Sequence, residues 1–367
     1  MDPSDGACGG GSSTCEVGSA AKPSGGRPVV AHVPYGEPFR YDLLRGFLEG
    51  RAIEGVEAVR DGCYFRTVRG SDGERFGWVG VADDRQGHRL EVTLSPELAG
   101  DAVDILARVE RLFDTDCDPD AVEAGLSDFH AQAPEGCHLP GIRVPCSFYG
   151  FEMAVRAILG QQITVKAAGT LAGRVAREFG EPEPWADGNA PRQDLGGSCV
   201  HRAGEPQPAG DGKRFASSQF DGPPPAKGVR EPPRELRTVF PLPSAFCTDD
   251  AEDRLGSLGV VGQRAHAICE LARLVGSGQL LLAPGADVEA EAALLQSVRG
   301  IGPWTVQYLL MRAYDHPDAF PSTDYGVKRG FPGCTPRELE EMSQAWRPWR
   351  SYAVMSLWSV PHGEAGK

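Results

Sequence analysis

The chain has 367 residues, 41% of them hydrophobic, a formal charge of −14 and ten scattered cysteines. That size and apolar content suffice for two or three domains, while no apolar run approaches the roughly 18 residues that cross a membrane and the N-terminus lacks a basic-then-apolar signal layout. No C-x-x-C pair occurs, so neither a disulfide framework nor a zinc site is expected, and the location expected is cytoplasmic and reducing.

Residues 1–30 are rich in Gly, Ser, Ala and Pro and read as a disordered leader. Residues 31–117 read as an α+β domain. Leu43, Leu44, Phe47 and Leu48 predict a helix within 41–59, followed by the start of a strand. Strands are expected over 63–68, 76–81 and 89–94, separated by Gly/Asp turns, and an amphipathic helix over 102–113. Strands in sequence followed by a helix suggest an antiparallel sheet with helices on one face. A helical domain occupies 118–180 and 236–360. Within it a helix at 152–159 is interrupted by Gly160-Gln161-Gln162, and Thr164 caps a second helix that runs to 179. Residues 181–235 hold Gly, Pro, Ser, Asp and Arg without apolar pattern and read as a disordered insertion. Further helices are expected at 251–258 and 263–275, with a turn at 259–262. A final aromatic-rich helix runs to about 358, before a tail at 361–367.

The most informative stretch is 294–332. Leu294, Leu295 and Val298 look like the end of a helix, and Gly300-Ile301-Gly302 breaks it. Pro303 suits the first position of the next helix, which continues through Trp304, Val306, Tyr308, Leu309 and Met311. A helix, Gly-h-Gly hairpin, helix unit offers unpaired backbone N–H groups and the positive end of a helix dipole to a phosphate, without reading base sequence. Taken alone it is also an ordinary glycine-capped turn between helices. Asp324 lies 22 residues after Gly302, where a helix could open. An aspartate at such a place is most often an N-cap.

Five blocks carry a resemblance: FLEGRA at 47–52, RAILGQQITVKAAGTLAGRVA at 156–176, GIGPWTVQYLLMR at 300–312, DAFPSTDYGVKRGFPG at 318–333 and WRPWRSYAVMSLW at 346–358. Together they resemble the alkylpurine DNA glycosylases of the AlkA type, within the helix-hairpin-helix DNA glycosylase superfamily, over roughly 33–180 and 236–360. The resemblance implies an α+β fold: an N-terminal TATA-binding-protein-like antiparallel sheet with helices, then an all-α helix-hairpin-helix glycosylase domain. It implies a bacterial, nucleoid-associated enzyme acting as a monomer on double-stranded DNA that carries alkylated bases, chiefly 3-methyladenine and also 7-methylguanine. By resemblance Asp324 is the catalytic carboxylate. Trp304, Tyr308, Trp358, Phe47 and Arg51 form or border the base pocket, though Phe47 and Trp358 fit a core role equally. Gln162 occupies the position of the wedge that enters the DNA stack, where the best-known member has an apolar residue. Gly300, Ile301, Gly302 and Thr305 face the DNA backbone, and the carbonyls of Gln296, Val298 and Ile301 match those that hold a monovalent cation. No other cofactor is expected. In particular, only Cys334 follows Asp324, so no iron–sulfur cluster is expected.

The acidic balance is unusual for a DNA binder, but Arg143, Arg156, Lys166, Arg174, Arg177, Arg299, Arg312, Lys328 and Arg329 surround the matching blocks. Relatives that also cut the strand place a lysine two residues after the second hairpin glycine; here that residue is Trp304. A monofunctional glycosylase without lyase activity is therefore expected. Two alternatives stay open. One is a non-catalytic module that binds damaged DNA. The other is part of an adaptive-response regulator, against which stands the lack of a four-cysteine zinc module and of a Pro-Cys-His-Arg acceptor motif.

Overall fold

The structure is a computed structural model that describes residues 27–182 and 231–360. The leader through residue 26, the insertion between 183 and 230 and the tail at 361–367 lie outside the described residues.

The chain opens with strand β1 (Val29–Pro34) and helix α1 (Tyr41–Glu49). Strands β2 (Glu57–Arg60), β3 (Cys63–Arg69), β4 (Phe76–Asp84) and β5 (Arg89–Leu94) follow, then helix α2 (Ala102–Phe113). The five strands form one antiparallel sheet in the order β1-β5-β4-β3-β2. Alternation along the strands sends Val33, Tyr64, Val79, Val81, Leu90 and Val92 to one face, where α1 and α2 cover them with Leu44, Leu48, Ile105, Leu106 and Val109. The three expected strands and the 102–113 helix are present. The strand start expected after the first helix is the edge strand β2, and β1 adds a strand at the other edge. β1 begins at Val29, so the leader expected to reach residue 30 ends earlier. The valine-rich run Val29-Val30-Ala31-His32-Val33 pairs with β5 from Val29↔Leu94 to Val33↔Leu90.

The helical part begins with α3 (Pro119–Gly125) and α4 (Ser127–Gln132). Helices α5 (Gly150–Gly160) and α6 (Val165–Phe179) come next, and Thr164 caps α6 by accepting the Ala167 N–H at 3.2 Å. Two short strands, β6 (Glu181–Pro182) and β7 (Thr238–Val239), pair antiparallel across the insertion. The expected insertion range of 181–235 is therefore too wide. Glu181 and Pro182 are strand residues, and Glu235 is ion-paired with Arg60. Helices α7 (Ala251–Ser257), α8 (Gly262–Gly276), α9 (Val288–Ser297), α10 (Pro303–Ala313), α11 (Tyr325–Gly330), α12 (Pro336–Met342) and α13 (Arg350–Ser359) complete the domain. α5 runs through the middle of this core and packs on α6, α8 and α10. No helix among the described residues is long and apolar enough to cross a membrane.

Sheet and helices meet through a buried ion network. Arg66 of β3 reaches Glu152 of α5 at 2.7 Å, and Arg156 of α5 reaches Glu57 of β2 at 2.9 Å and Glu152 at 3.3 Å. The same Arg156 guanidinium donates to the Arg51 carbonyl at 2.6 Å. The network thus sets where the end of α1 lies against the helical core.

Candidate active site

Asp324 ends the connection between α10 and α11. That connection is clamped from the far side by the first residues of α13. The buried Arg350 holds the Asp318 carboxylate at 2.7 and 3.1 Å and the Asp318 carbonyl at 2.9 Å, while Ser351 Oγ accepts the Ala319 N–H at 3.1 Å. Asp324 itself is 9% exposed. Its Oδ1 accepts the N–H groups of Gly326 (2.7 Å) and Val327 (3.2 Å), so it is the N-cap of α11. The same oxygen accepts Trp358 Nε1–H at 2.8 Å, and Oδ2 accepts Trp304 Nε1–H at 2.9 Å. Capping and indole contacts coexist on one carboxylate. Oδ1 takes three donors and Oδ2 a single one among the described residues, which leaves Oδ2 the oxygen with spare capacity.

A row of rings runs away from this carboxylate. Trp304 and Tyr308, one turn apart on α10, stack with centroids 5.2 Å apart. Tyr308 lies 6.0 Å from Trp358 of α13, and Trp358 lies 6.3 Å from Phe47 of α1. All four rings are half-buried, so part of each is reachable from outside. Arg51 sits over the Phe47 ring at 3.7 Å, and the buried Arg312 lies 4.9 Å from that ring and donates to the Tyr308 hydroxyl at 3.0 Å. Burial, with the neighbouring Arg312 and Arg156 charges, pulls the Arg51 pKa down to about 10, against the pull of Tyr308 and Asp324. It remains charged at neutral pH. The six residues read from sequence as catalytic or pocket-forming are therefore brought together. Gly326 was not singled out by sequence, yet any side chain there would meet the Trp358 indole at 2.5 Å.

The hairpin lies beside this cluster. Gly300 has φ +104°, a conformation that side chains resist, whereas Gly302 is ordinary extended backbone with open space at its Cβ position. The N–H groups of Gly300, Gly302, Trp304 and Thr305 donate to nothing among the described residues. The Thr305 side chain does not face outward. It is 2% exposed, and its hydroxyl accepts from Gln161 Nε2 at 3.0 Å. Gln161 Nε2 also donates to the Gly300 carbonyl at 2.9 Å, so it ties the α5–α6 loop to the hairpin. That leaves Gln162 exposed at the loop tip, with φ +55°. The carbonyls of Gln296 and Ile301 accept nothing among the described residues, and that of Val298 accepts only the Ile301 N–H at 3.0 Å. Three neutral oxygens with free lone pairs fit a monovalent cation by their chemistry.

Comparison with known proteins follows the same lines. The AlkA N-terminal domain family model matches residues 30–149. DNA-3-methyladenine glycosylase 2 of Escherichia coli K12 is 32% identical over 321 residues, which span 88% of this chain and 94% of that protein. The chain belongs to the DNA-3-methyladenine glycosylase 2 family. Another member of the AlkA type, the "Probable bifunctional transcriptional activator/DNA repair enzyme AlkA" of Mycobacterium tuberculosis H37Rv, is 31% identical over 90% of this chain and 57% of its own length. Among solved structures, a 3-methyladenine DNA-glycosylase from Archaeoglobus fulgidus superposes with a TM-score of 0.63 over 89% of this chain and 96% of its own. At 17% identity that likeness shows the shared glycosylase fold alone.

Proposed function

We propose that this protein is a monofunctional DNA glycosylase that removes alkylated bases, chiefly 3-methyladenine and also 7-methylguanine, from duplex DNA. The observation that carries the reading is the convergence of two indole N–H groups and two backbone N–H groups on one buried carboxylate at the end of a row of reachable rings. Family membership supports it.

The unpaired N–H groups at Gly300, Gly302, Trp304 and Thr305 grip a backbone phosphate. A monovalent cation held by the Gln296, Val298 and Ile301 carbonyls would add positive charge toward that phosphate when bound. The target nucleotide leaves the stack at a cost of a few kcal/mol, and Gln162 at its exposed loop tip fills the gap. An alkylated purine is cationic and stacks on the electron-rich faces of Trp304, Tyr308 and Trp358. It is already a good leaving group and needs little protonation. Positive charge instead builds on the sugar as the glycosidic bond breaks, and Asp324 Oδ2 stabilises it. Trp304 stands where a strand-cutting enzyme needs its amine nucleophile, so the abasic strand stays intact.

The test is release of free base from methylated duplex DNA by wild type and Asp324→Asn, with and without later alkali. Wild type should release 3-methyladenine and give strand breaks only after alkali, and the variant should release none while still binding abasic-site DNA. Full activity in Asp324→Asn would sink the mechanism, and breaks before alkali would sink the monofunctional reading.

A further inference from the structure

Away from the Asp324 cluster, three side chains on α3, α4 and the loop after them converge. Glu123 Oε1 is hydrogen-bonded to His138 Nε2 and lies 3.5 Å from His130 Nδ1. The three donor atoms all lie within 4.8 Å of one another, and the two imidazole rings are 4.2 Å apart. Two imidazoles and a carboxylate are a donor set suited to zinc-class divalent ions, whose bonds of roughly 2.0–2.2 Å bring ligand atoms to about 3–4 Å from each other. The separations found here need only small side-chain movements to reach that range.

The backbone that carries these groups is anchored. Each of the three directly follows a core residue: Val122 (4% exposed) precedes Glu123, Phe129 (0%) precedes His130 and Cys137 (1%) precedes His138. Phe129 packs edge-on against Trp346 at 5.1 Å. The ligand-bearing side chains themselves remain reachable, with His130 15%, Glu123 42% and His138 56% exposed. A site with a fixed base and an open mouth loses little freedom on binding an ion.

We propose that Glu123, His130 and His138 bind one zinc-class divalent ion that staples α3, α4 and the following loop together, its remaining coordination taken by water. The expectation of no zinc site rested on cysteine spacing, and these ligands are histidine and glutamate spaced by seven and eight residues. The ion takes the place of the hydrogen bond between Glu123 Oε1 and His138 Nε2. The stapled loop also reaches the end of α13, since a side chain placed at Gly136 would come within 3.8 Å of Val360 Cγ1, two residues beyond Trp358.

The experiment is calorimetric titration of the chelator-stripped full chain with Zn²⁺, repeated on His138→Gln and Glu123→Gln, with thermal melting in parallel. Neither replacement disturbs the core, because His138 is exposed, Glu123 is half-buried and neither belongs to the packed interior. Wild type should take up one equivalent and melt higher with Zn²⁺, and each variant should bind at least about tenfold more weakly and lose the melting shift. Absence of saturable binding by wild type would overturn the proposal. So would equal binding by wild type and both variants, which would place the ion on thiols or elsewhere.

Discussion

At the scale of residues, the two oxygens of Asp324 have different work. Oδ1 is occupied by the cap and by Trp358, so it fixes the carboxylate; among the described residues Oδ2 accepts from Trp304 alone. In the proposed mechanism the Trp304 indole N–H aims the reactive oxygen. Trp304→Phe keeps an aromatic ring beside Tyr308 and removes the donor together with part of the ring face. A lost hydrogen bond to a charged group costs about 1.5–3 kcal/mol, so base release should slow roughly 10- to 100-fold while affinity for abasic-site DNA holds. Single-turnover rates beside binding constants check this, and a weakened affinity with an unchanged rate would contradict the aiming role. The grouping of Asp324, Trp304, Tyr308, Trp358, Phe47 and Arg51 was legible through the family resemblance, because all six sit in the blocks that carry it. Gly326, Gln161 and Arg350 were not. Their partners lie across the fold: Gln161 bonds Gly300 and Thr305, and Arg350 holds Asp318. A lone Gly, Gln or Arg carries no local signal of such contacts.

At the scale of elements, the hairpin was the most readable unit, because glycine and proline punctuate it and helical periodicity flanks it. The α5–α6 loop was readable for the same reason, with Thr164 as a cap. Edge strands were harder. β2 has four residues and β1 abuts a Gly/Pro-rich leader, so neither shows a full alternating pattern by itself; pairing with β3 and β5 defines them. The hairpin also separates its two glycines by role. Gly300 is held by conformation, but Gly302 adopts an ordinary φ of −96° with no atom within 4 Å of its Cβ position. In the proposed function its smallness lets a DNA phosphate approach the backbone. Gly302→Val should leave the melting temperature unchanged and weaken binding about tenfold to lesion-bearing and undamaged duplex alike, as loss of a phosphate contact does. Fluorescence anisotropy on both duplexes measures it, and unchanged affinity would remove the hairpin from the DNA interface.

Across the whole molecule, a charge of −14 is reconciled with DNA by where the cations stand. Arg143 and Arg312 are 1% and 2% exposed and serve the interior, as does Arg156 in the Glu57–Glu152 network. Lys166 beside the α5–α6 loop, Arg299 beside the hairpin and Lys328 on α11 are exposed and form no ion pair among the described residues. The two cores are joined at a second polar point with its own pH signature. Asp114, the left-handed cap of α2, accepts the Val144 N–H at 3.0 Å and meets the Tyr352 hydroxyl of α13. Burial pushes this carboxyl up to about 7 from an ordinary 3.8, although the Val144 N–H, the Arg143 charge and Tyr352 pull it down. A folded pKa above the unfolded value means that the native state holds an extra proton between the two. The stability tied to that proton is complete below about 4 and is lost as pH rises through about 7. Asparagine mimics the protonated carboxyl, tolerates the left-handed backbone and cannot ionise. Urea midpoints of wild type and Asp114→Asn should therefore lie close together near about pH 4–5 and separate at about pH 8, with the variant the more stable there. A gap that stays constant across that range would mean that ionisation of Asp114 is not linked to the docking of the two cores.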